Sequence, residues 1–427
     1  MIELIRGADL LMKKKLNKKN WRKLDNTAKI FSLDDKKNTS TFRLSVLLKT
    51  DVDPSVLQKA LNKTINDCPS YKMKMGAGLF WNYLELNEKN IIVQEENEIP
   101  CEHINFKKNN DYLFKVTYYK NKINLDVFHV LTDGAGASVL LKALIYNYFI
   151  IKYKLPNDIK YENEIDNYQD YYLKYYDPKL KELGKPKKGY KLPGIPNKKI
   201  NNTYHYIVSI KEIKSICKRY KATITEYLVA TYIYALYNSI YNKKSQKEIV
   251  VAVPINLRKV FHEETPANFF TYMKINSDVV GKQKITFNNI LEYTKGEFYV
   301  KLTTDKIKEY ISRDMKIGMN IPIRLAPLFA KKLFIKYLGF SVKSSNTTNL
   351  SNMGPIEIDE KYKKYIDNIL ALVMPNEQQK IKCTVCSYND KLNITLNSNI
   401  DDKNLNKEFL KQLRNHLKKI EVISNKE

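Results

Sequence analysis

Cysteine is scarce in this sequence, which holds five cysteines among 427 residues. They are Cys68, Cys101, Cys217, Cys383 and Cys386. An odd, low number argues against a scaffold stabilised by disulfides. Cys383 and Cys386 have the spacing of a redox or zinc pair, but no second Cys or His pair completes a metal site. Both lie in an alternating run that is typical of a strand, so we predict core cysteines and no metal.

Long apolar runs are also missing. No stretch of about 18 uncharged apolar residues is present, so a transmembrane helix is not expected. The segment Met1–Met12 contains Glu3, Arg6 and Asp9, and it therefore lacks the apolar region of a signal peptide. These absences predict a cytoplasmic protein. The segment Ile321–Phe340 mixes apolar and basic residues, and it is either a helix packed on its own domain or a peripheral contact with an anionic membrane.

Acidic residues are few relative to basic ones: 46 Asp and Glu stand against 73 Lys and Arg, which gives a net charge of +27. Such a balance fits nucleic acid, an anionic membrane or a phosphorylated ligand. The lysines are spread along the chain without a nucleic-acid-binding motif, and codon bias explains them equally well. We expect no nucleic-acid partner. Hydrophobic residues at 43% and aromatics at 11% indicate a folded protein, and the length predicts two or three domains.

Several catalytic signatures are absent. The sequence has no Gly-x-Ser-x-Gly elbow, no Walker motif, no dinucleotide-binding glycine pattern and no His-Glu-x-x-His. No cysteine lies near the histidine described next. A site without a nucleophile of its own indicates that one substrate attacks the other directly, with the protein supplying a base.

The segment from Asn121 to Tyr153 carries the strongest signal. Its first part alternates apolar and polar residues as a half-buried strand does, and its last part repeats apolar residues at helical spacing. Between them, His129 is followed four residues later by Asp133, with Gly134 and Gly136 opening the helix. We expect the glycines to allow positive φ and close approach of another group. A histidine at such a junction is the natural proton acceptor near neutral pH, although a structural histidine is the alternative.

The remaining pattern predicts α/β organisation in two halves. Residues 1–176 contain alternating strands and amphipathic helices. Residues 177–202 are rich in Pro and Lys and are predicted to form a linker or crossover. Residues 203–427 again alternate strands with helices, and no repeat of solenoid period is present.

The segment FHVLTDGAGA resembles the HxxxDG active-site motif of the chloramphenicol-acetyltransferase-like superfamily, which includes condensation domains and alcohol acetyltransferase-like proteins. Weaker likenesses follow in the same order along the chain. They lie in Trp21–Ser32, Gly78–Glu85, Val253–Arg258, Asn268–Phe270 and Leu350–Pro355. Many relatives carry two adjacent histidines, whereas Phe128 stands in the first position here. The resemblance implies two acetyltransferase-like lobes with an active-site channel between them.

The resemblance also implies roles for individual residues. His129 is the expected general base, within a catalytic motif that includes Asp133 and Gly134. Asp133 is expected to form a buried ion pair with Arg258 and not to act in proton transfer; two exposed, unpaired side chains are the alternative. Ser351 and Asn352, with backbone amides near Gly354, are candidates for lining the channel and stabilising an oxyanion. An ordinary strand-to-turn junction is the alternative for these last three residues.

The predicted activity is therefore transfer of an acyl group, expected to be acetyl, from coenzyme A to an alcohol acceptor. Acyl-CoA is a co-substrate here, and no permanently bound cofactor is expected. A second hypothesis is condensation of an amine with a thioester on a carrier protein. A third is a non-catalytic binding or assembly protein that keeps the fold.

Overall fold

The described part of the chain consists of strands interleaved with helices. The computed structural model describes residues 21–33, 40–97, 99–157, 170–180, 188–197, 200–333, 345–401 and 404–425. Within these ranges the strands are β1 (Trp21–Lys23), β2 (Thr41–Leu48), β3 (Met73–Ala77), β4 (Asn82–Leu86), β5 (Val93–Glu95), β6 (Phe114–Tyr119), β7 (Lys122–Phe128), β8 (Asn202–Ser209), β9 (Val251–Asn256), β10 (Phe270–Ile275), β11 (Thr348–Pro355), β12 (Ile366–Val373), β13 (Ile381–Tyr388), β14 (Lys391–Ser398) and β15 (Glu421–Ser424).

The helices flank these strands. They are α1 (Asn26–Phe31), α2 (Pro54–Asp67), α3 (Gly134–Tyr153), α4 (Tyr171–Tyr175), α5 (Ile210–Arg219), α6 (Ile224–Ser239), α7 (Leu257–Phe261), α8 (Phe287–Lys301), α9 (Thr304–Met319), α10 (Ile321–Leu325), α11 (Glu360–Lys363) and α12 (Asn404–Arg414). A 3₁₀ turn covers Pro69–Tyr71. The mixed α/β class matches the prediction from the sequence.

The first lobe is built on a five-stranded sheet with the order β12-β2-β7-β6-β5. Alternate residues of β7, such as Leu125 and Val127, are buried in one hydrophobic core with apolar residues of α2 and α3. Asp53 accepts hydrogen bonds from the first backbone amides of α2, and Pro54 follows at a position where its missing N–H costs nothing. A small sheet, β1-β4-β3, adjoins this lobe.

The second lobe is built on a seven-stranded sheet with the order β10-β9-β11-β13-β14-β8-β15. The pairs of β11 with β9 and with β13 are parallel, whereas the other pairs are antiparallel. Helix α6 is buried along most of its length in this core. All five cysteines are free and buried. Cys383 and Cys386, the two predicted to be core residues, both lie within β13.

One strand departs from the simple order of the two halves. β12 belongs to the second half of the sequence, yet it pairs antiparallel with β2 at the edge of the first sheet. Tyr172 of α4, conversely, lies in the core of the second lobe. The described residues 188–197 run along the second lobe, where the Tyr190 N–H donates to the Glu248 carbonyl. The predicted ranges are 1–176, 177–202 and 203–427. The core of each lobe includes residues from the other lobe's predicted range, namely β12 in the first lobe and Tyr172 in the second.

Helix α3 is, by length and composition alone, apolar enough to cross a membrane, whereas no such segment was expected from the sequence. It lies inside the first lobe, and 67% of its most apolar window is buried there. Val139 is 51% exposed, although it is one of the apolar residues whose helical spacing predicted a buried position. The helix therefore serves as a core helix of this lobe.

The segment Ile321–Phe340 is described only as far as residue 333. Lys331 is buried and donates hydrogen bonds from Nζ to the carbonyl oxygens of Phe80 and Arg324. Phe329 and Leu333 remain exposed. The segment thus packs on the first lobe through one side and presents apolar residues on the other. Residues 334–340 of this segment lie outside the described ranges.

Candidate active site

His129 follows the last residue of β7, and backbone hydrogen bonds hold it on both sides. Its N–H donates to the Ser40 carbonyl at 3.0 Å, and its carbonyl accepts from Asn268 Nδ2 at 2.9 Å. Ser40 precedes β2 of the first lobe, and Asn268 precedes β10 of the second. The residue therefore lies where the two lobes meet, and its backbone is bonded to both of them.

Three aromatic rings surround the imidazole. Phe31 is stacked on it with ring centroids 4.7 Å apart. Phe42 lies at 4.5 Å and Phe270 at 5.8 Å. Such packing restricts the ring to one orientation and removes water from its faces. The residue as a whole is half-buried.

Burial dominates the electrostatics of His129. Desolvation lowers the pKa of the imidazole from 6.5 to about 4. The charge of Asp133, the Asn268 side chain and the Thr132 backbone oppose this effect, whereas Lys382 adds to it. The ring is therefore neutral at physiological pH, which is the form that accepts a proton. Nδ1 is buried and has no hydrogen-bond partner among the described residues.

Asp133 performs two structural tasks with its two carboxylate oxygens. Oδ1 accepts the N–H groups of Ala135 and Gly136, each at 3.1 Å, and so caps the start of α3. Oδ2 accepts Nη1 of Arg258 at 2.8 Å and the N–H of Phe269 at 2.9 Å. The carboxylate thereby joins the loop after His129 to the second lobe.

Arg258 completes this connection. It lies in α7, directly after β9, and its Nε donates to the Thr265 carbonyl at 2.9 Å. Nη2 donates to the carbonyl of Ala267. Burial disfavours the charged guanidinium, but the neighbouring Asp133 charge and hydrogen bond raise the pKa of Arg258 above its ordinary value. The structure thus places Asp133 and Arg258 in one ion pair.

The glycines at the start of α3 allow close packing, but they do not adopt positive φ. Neither Gly134 nor Gly136 is among the positive-φ residues, so this part of the prediction is wrong; both belong to a regular helix. A Cβ on Gly134 would lie 2.9 Å from Met353 Cε. A Cβ on Gly136 would lie 2.0 Å from Thr132 Oγ1 and 2.8 Å from the Pro266 carbonyl oxygen. The expected close approach of other groups is therefore present at both positions.

The structure separates the three candidate oxyanion residues in β11. Met353 packs against Gly134 of the first lobe. Ser351 lies two residues earlier, and because side chains alternate along a strand, its side chain lies on the same side as that of Met353. Asn352 instead donates from Nδ2 to Thr225 Oγ1 at 2.9 Å, beside the start of α6. Its Oδ1 accepts the Gly354 N–H at 2.9 Å. The Gly354 amide is thus already donated within its own turn, and Ser351 remains the best placed of the three.

Two residues without a predicted role lie beside His129: Asn268 contacts it directly, and Asp25 contacts Asn268. Asn268 is 2% exposed and Asp25 is 7% exposed, and they are hydrogen-bonded to each other. Both occur in segments that carried the family resemblance, Trp21–Ser32 and Asn268–Phe270, but that resemblance gave them no function. Their separation of more than two hundred residues along the chain leaves no local pattern that pairs them. Among the described residues, no group of three or more His, Cys, Asp or Glu is placed to hold a metal ion.

Comparisons with known proteins detect a shared fold without close sequence relatives. No family model and no curated protein matches the sequence. The epimerization domain from the third module of tyrocidine synthetase B superposes with a TM-score of 0.62 at 11% identity, covering 93% of this chain and 95% of that one. The trichothecene 15-O-acetyltransferase TRI3 from Fusarium sporotrichioides gives a TM-score of 0.60 at 10% identity, covering 92% and 97%.

A third similar structure is a mutant of the starter condensation domain of rhizomide synthetase in complex with C8-CoA. It gives a TM-score of 0.59 at 11% identity, with coverage of 92% of this chain and 94% of that one. Identities this low establish the architecture alone. The chain therefore has the two-lobed fold shared by condensation domains and chloramphenicol-acetyltransferase-like acetyltransferases.

Proposed function

We propose that this protein is an acyltransferase that moves an acyl group, by preference acetyl, from coenzyme A to an alcohol acceptor. The observation that carries the proposal is the position of His129 at the junction of the lobes, where aromatic rings pack against it and burial keeps it neutral. His416, by contrast, is hydrogen-bonded at both ring nitrogens, to Tyr220 and Tyr227, as expected of a structural histidine.

The reaction follows from a base without a resident nucleophile. Nε2 of His129 accepts the proton of the acceptor hydroxyl while that oxygen attacks the thioester carbonyl carbon. The carbon–sulfur bond then breaks, and the thiolate takes the proton from Nε2, so the products are an ester and free coenzyme A. General-base assistance contributes about 10²–10⁴ in rate. Positioning of two bound substrates supplies much of the remainder.

Asp133 has a supporting role in this scheme. Both of its oxygens are engaged, in the cap of α3 and in the ion pair with Arg258, so it holds the loop and does not transfer protons. Its negative charge favours the imidazolium that forms during the reaction. Ser351 is proposed to face the reacting carbonyl, since its side of β11 faces the first lobe.

Condensation with a thioester of a carrier protein is the second candidate. It is favoured by the similarity to condensation domains, one of which was solved with C8-CoA and Leu-SNAC. The same His129 would then take a proton from an amine. The two activities differ in acceptor and donor, so an assay that varies both distinguishes them.

The test measures thiol release from acetyl-CoA with panels of alcohols and amines, together with transfer from a carrier-protein thioester. We expect release that depends on the acceptor, and a loss of about 10²-fold or more in His129→Ala. His416→Ala is the matched control, because it removes a hydrogen-bonded histidine within the second lobe. Equal rates for wild type and a folded His129→Ala protein would refute the proposed role of this residue.

A further inference from the structure

Asn268 is bonded to the backbone of His129 and to a buried carboxylate at once. Its Nδ2 donates to the His129 carbonyl at 2.9 Å and to Asp25 Oδ2 at 3.1 Å. Its backbone N–H donates to the same Asp25 oxygen at 3.3 Å. An amide rotated by 180° would place its oxygen against two acceptors, so these contacts determine which end of the amide faces which group.

Two buried polar atoms at this junction have no hydrogen-bond partner among the described residues, and one can donate while the other can accept. They are Oδ1 of Asn268 and Nδ1 of His129. An amide oxygen accepts hydrogen bonds only, and a neutral imidazole carries one N–H that needs an acceptor. The two atoms are not hydrogen-bonded to each other in this structure. A buried polar group without a partner costs about 1–3 kcal/mol, and one bond between these two atoms would remove both penalties.

We propose that Asn268, held by Asp25, is the positioning residue for His129: its Oδ1 accepts the Nδ1–H and selects the tautomer whose Nε2 lone pair faces the substrate. This inference rests on the proposed function of His129 as a base. It adds the group that decides which ring nitrogen acts, because imidazole in solution populates both tautomers.

Asp25 hydrogen-bonds to two elements that contact His129. Its Oδ1 accepts the Ala28 N–H at 2.7 Å and caps α1, the helix that ends at Phe31. Phe31 stacks on the imidazole face, while Oδ2 of Asp25 holds the Asn268 amide that is bonded to the His129 carbonyl. One carboxylate thus holds both the helix that carries Phe31 and the amide bonded to the His129 backbone.

The proton balance is consistent with this arrangement. When Nε2 takes the acceptor proton, the ring becomes an imidazolium with N–H groups at both nitrogens. The Nδ1–H stays with Asn268 throughout, and only the Nε2 proton moves on to the leaving thiolate. No further oxidant, reductant or co-substrate is required.

The test uses the full-length protein with ¹⁵N-labelled histidine and nuclear magnetic resonance of the ring nitrogens near pH 7. We expect wild-type His129 to carry its proton on Nδ1, and Asn268→Leu to shift the ring toward the Nε2–H tautomer. Asn147→Leu is the matched control. Asn147 is also buried and donates to a carboxylate, that of Asp67, but it lies within α3 of the first lobe.

Asn268→Ala covers the case in which Asn268→Leu does not fold. It removes the amide oxygen without adding bulk or charge beside Asp25, so the same shift toward the Nε2–H tautomer is expected. In the acyl-transfer assay, either variant lowers kcat by up to about 10²-fold with little change in KM.

The outcomes separate this inference from the proposed function. An Nε2–H tautomer in wild type, or an unchanged His129 tautomer in Asn268→Leu, would overturn the positioning role even if transfer activity is present. A tautomer that follows residue 268 in a protein without any transfer activity would support the positioning role and refute the function.

Discussion

Asp133 Oδ2 and Arg258 Nη1 are 2.8 Å apart, and the side chains of the two residues are only 7% and 13% exposed. The same carboxylate oxygen accepts the Phe269 N–H. The pair therefore joins the loop after His129 to the start of β10 across the lobe junction. Its main consequence is mechanical, because it holds the base-bearing loop against the second lobe.

Removing one partner of this pair leaves a buried charge without compensation. We expect Arg258→Ala to lower the free energy of unfolding by about 3–5 kcal/mol, with a matching decrease in Tm. Urea-induced unfolding followed by circular dichroism measures the change.

The control for Arg258→Ala is Lys282→Ala. Lys282 pairs with Asp278 on the surface, where both side chains are about half exposed, and such pairs contribute at most about 1 kcal/mol. An Arg258→Ala protein no less stable than Lys282→Ala would contradict a structural role for the Asp133 pair.

Gly136 is surrounded too closely for a larger side chain. In Gly136→Ala the new methyl group meets Thr132 Oγ1 and the Pro266 carbonyl oxygen, which are hydrogen-bonded to each other at 2.6 Å. Overpacking and loss of that bond together are expected to destabilise the protein by about 2–4 kcal/mol. Thermal unfolding monitored by calorimetry provides the measurement.

Gly296→Ala is the matched substitution in an open place. Gly296 lies inside α8, and a Cβ there meets no atom within 4 Å. Because alanine favours helix over glycine, this variant is expected to gain about 0.5–1 kcal/mol. A loss of stability in Gly136→Ala together with a gain in Gly296→Ala would support the packing described at α3. A Gly136→Ala protein as stable as wild type would contradict it.

His129 and Asp25 impose opposite pH dependences on folding. Between pH 4 and 6 the folded His129 is neutral, since burial lowers its pKa to about 4, whereas an unfolded histidine is protonated. Stability due to this group rises with pH. Burial also raises the pKa of Asp25 to about 6, so its folded carboxyl holds a proton that the unfolded one has lost. Stability due to Asp25 falls over the same window.

In wild type, the pH dependences of stability due to His129 and Asp25 largely cancel. Substituting one of the two residues therefore reveals the pH dependence due to the other. We expect the unfolding free energy of Asp25→Asn to rise with pH between 4 and 6 more steeply than that of wild type. The difference is about 1.4 kcal/mol per pH unit for one proton. His129→Gln should show the reverse change. Urea unfolding at several pH values measures both slopes, and wild-type slopes in both variants would show that neither group titrates as described.

The local part of the site could be predicted from sequence, and the long-range part could not. The strand, turn and helix around His129 follow from periodicity within some thirty residues. The ion pair with Arg258 came from family resemblance, since nothing local links residues 133 and 258. Asp25 and Asn268 gave no signal of their own, because an N-cap aspartate and a pre-strand asparagine have ordinary local explanations.

In the fold, too, local features could be predicted from the sequence and long-range contacts could not. The apolar run in Ile366–Val373 is compatible with a strand in either lobe, and only the complete structure assigns it to the edge of β2. The positions of Gly134 and Gly136 indicated close approach, but the same composition also suggested positive φ, which the helix does not use. Side-chain patterns specify which face is buried; they do not specify the neighbour that buries it.

The strand contributed by residues 366–373 has a consequence for how the chain is made. Until those residues leave the ribosome, the row of N–H and C=O groups along Thr41–Leu48 has no neighbour on one side, and unpaired edges of this kind invite association between chains. Synthesis of the first half alone is therefore expected to yield insoluble material, and supplying the missing segment in trans as a separate polypeptide should rescue it.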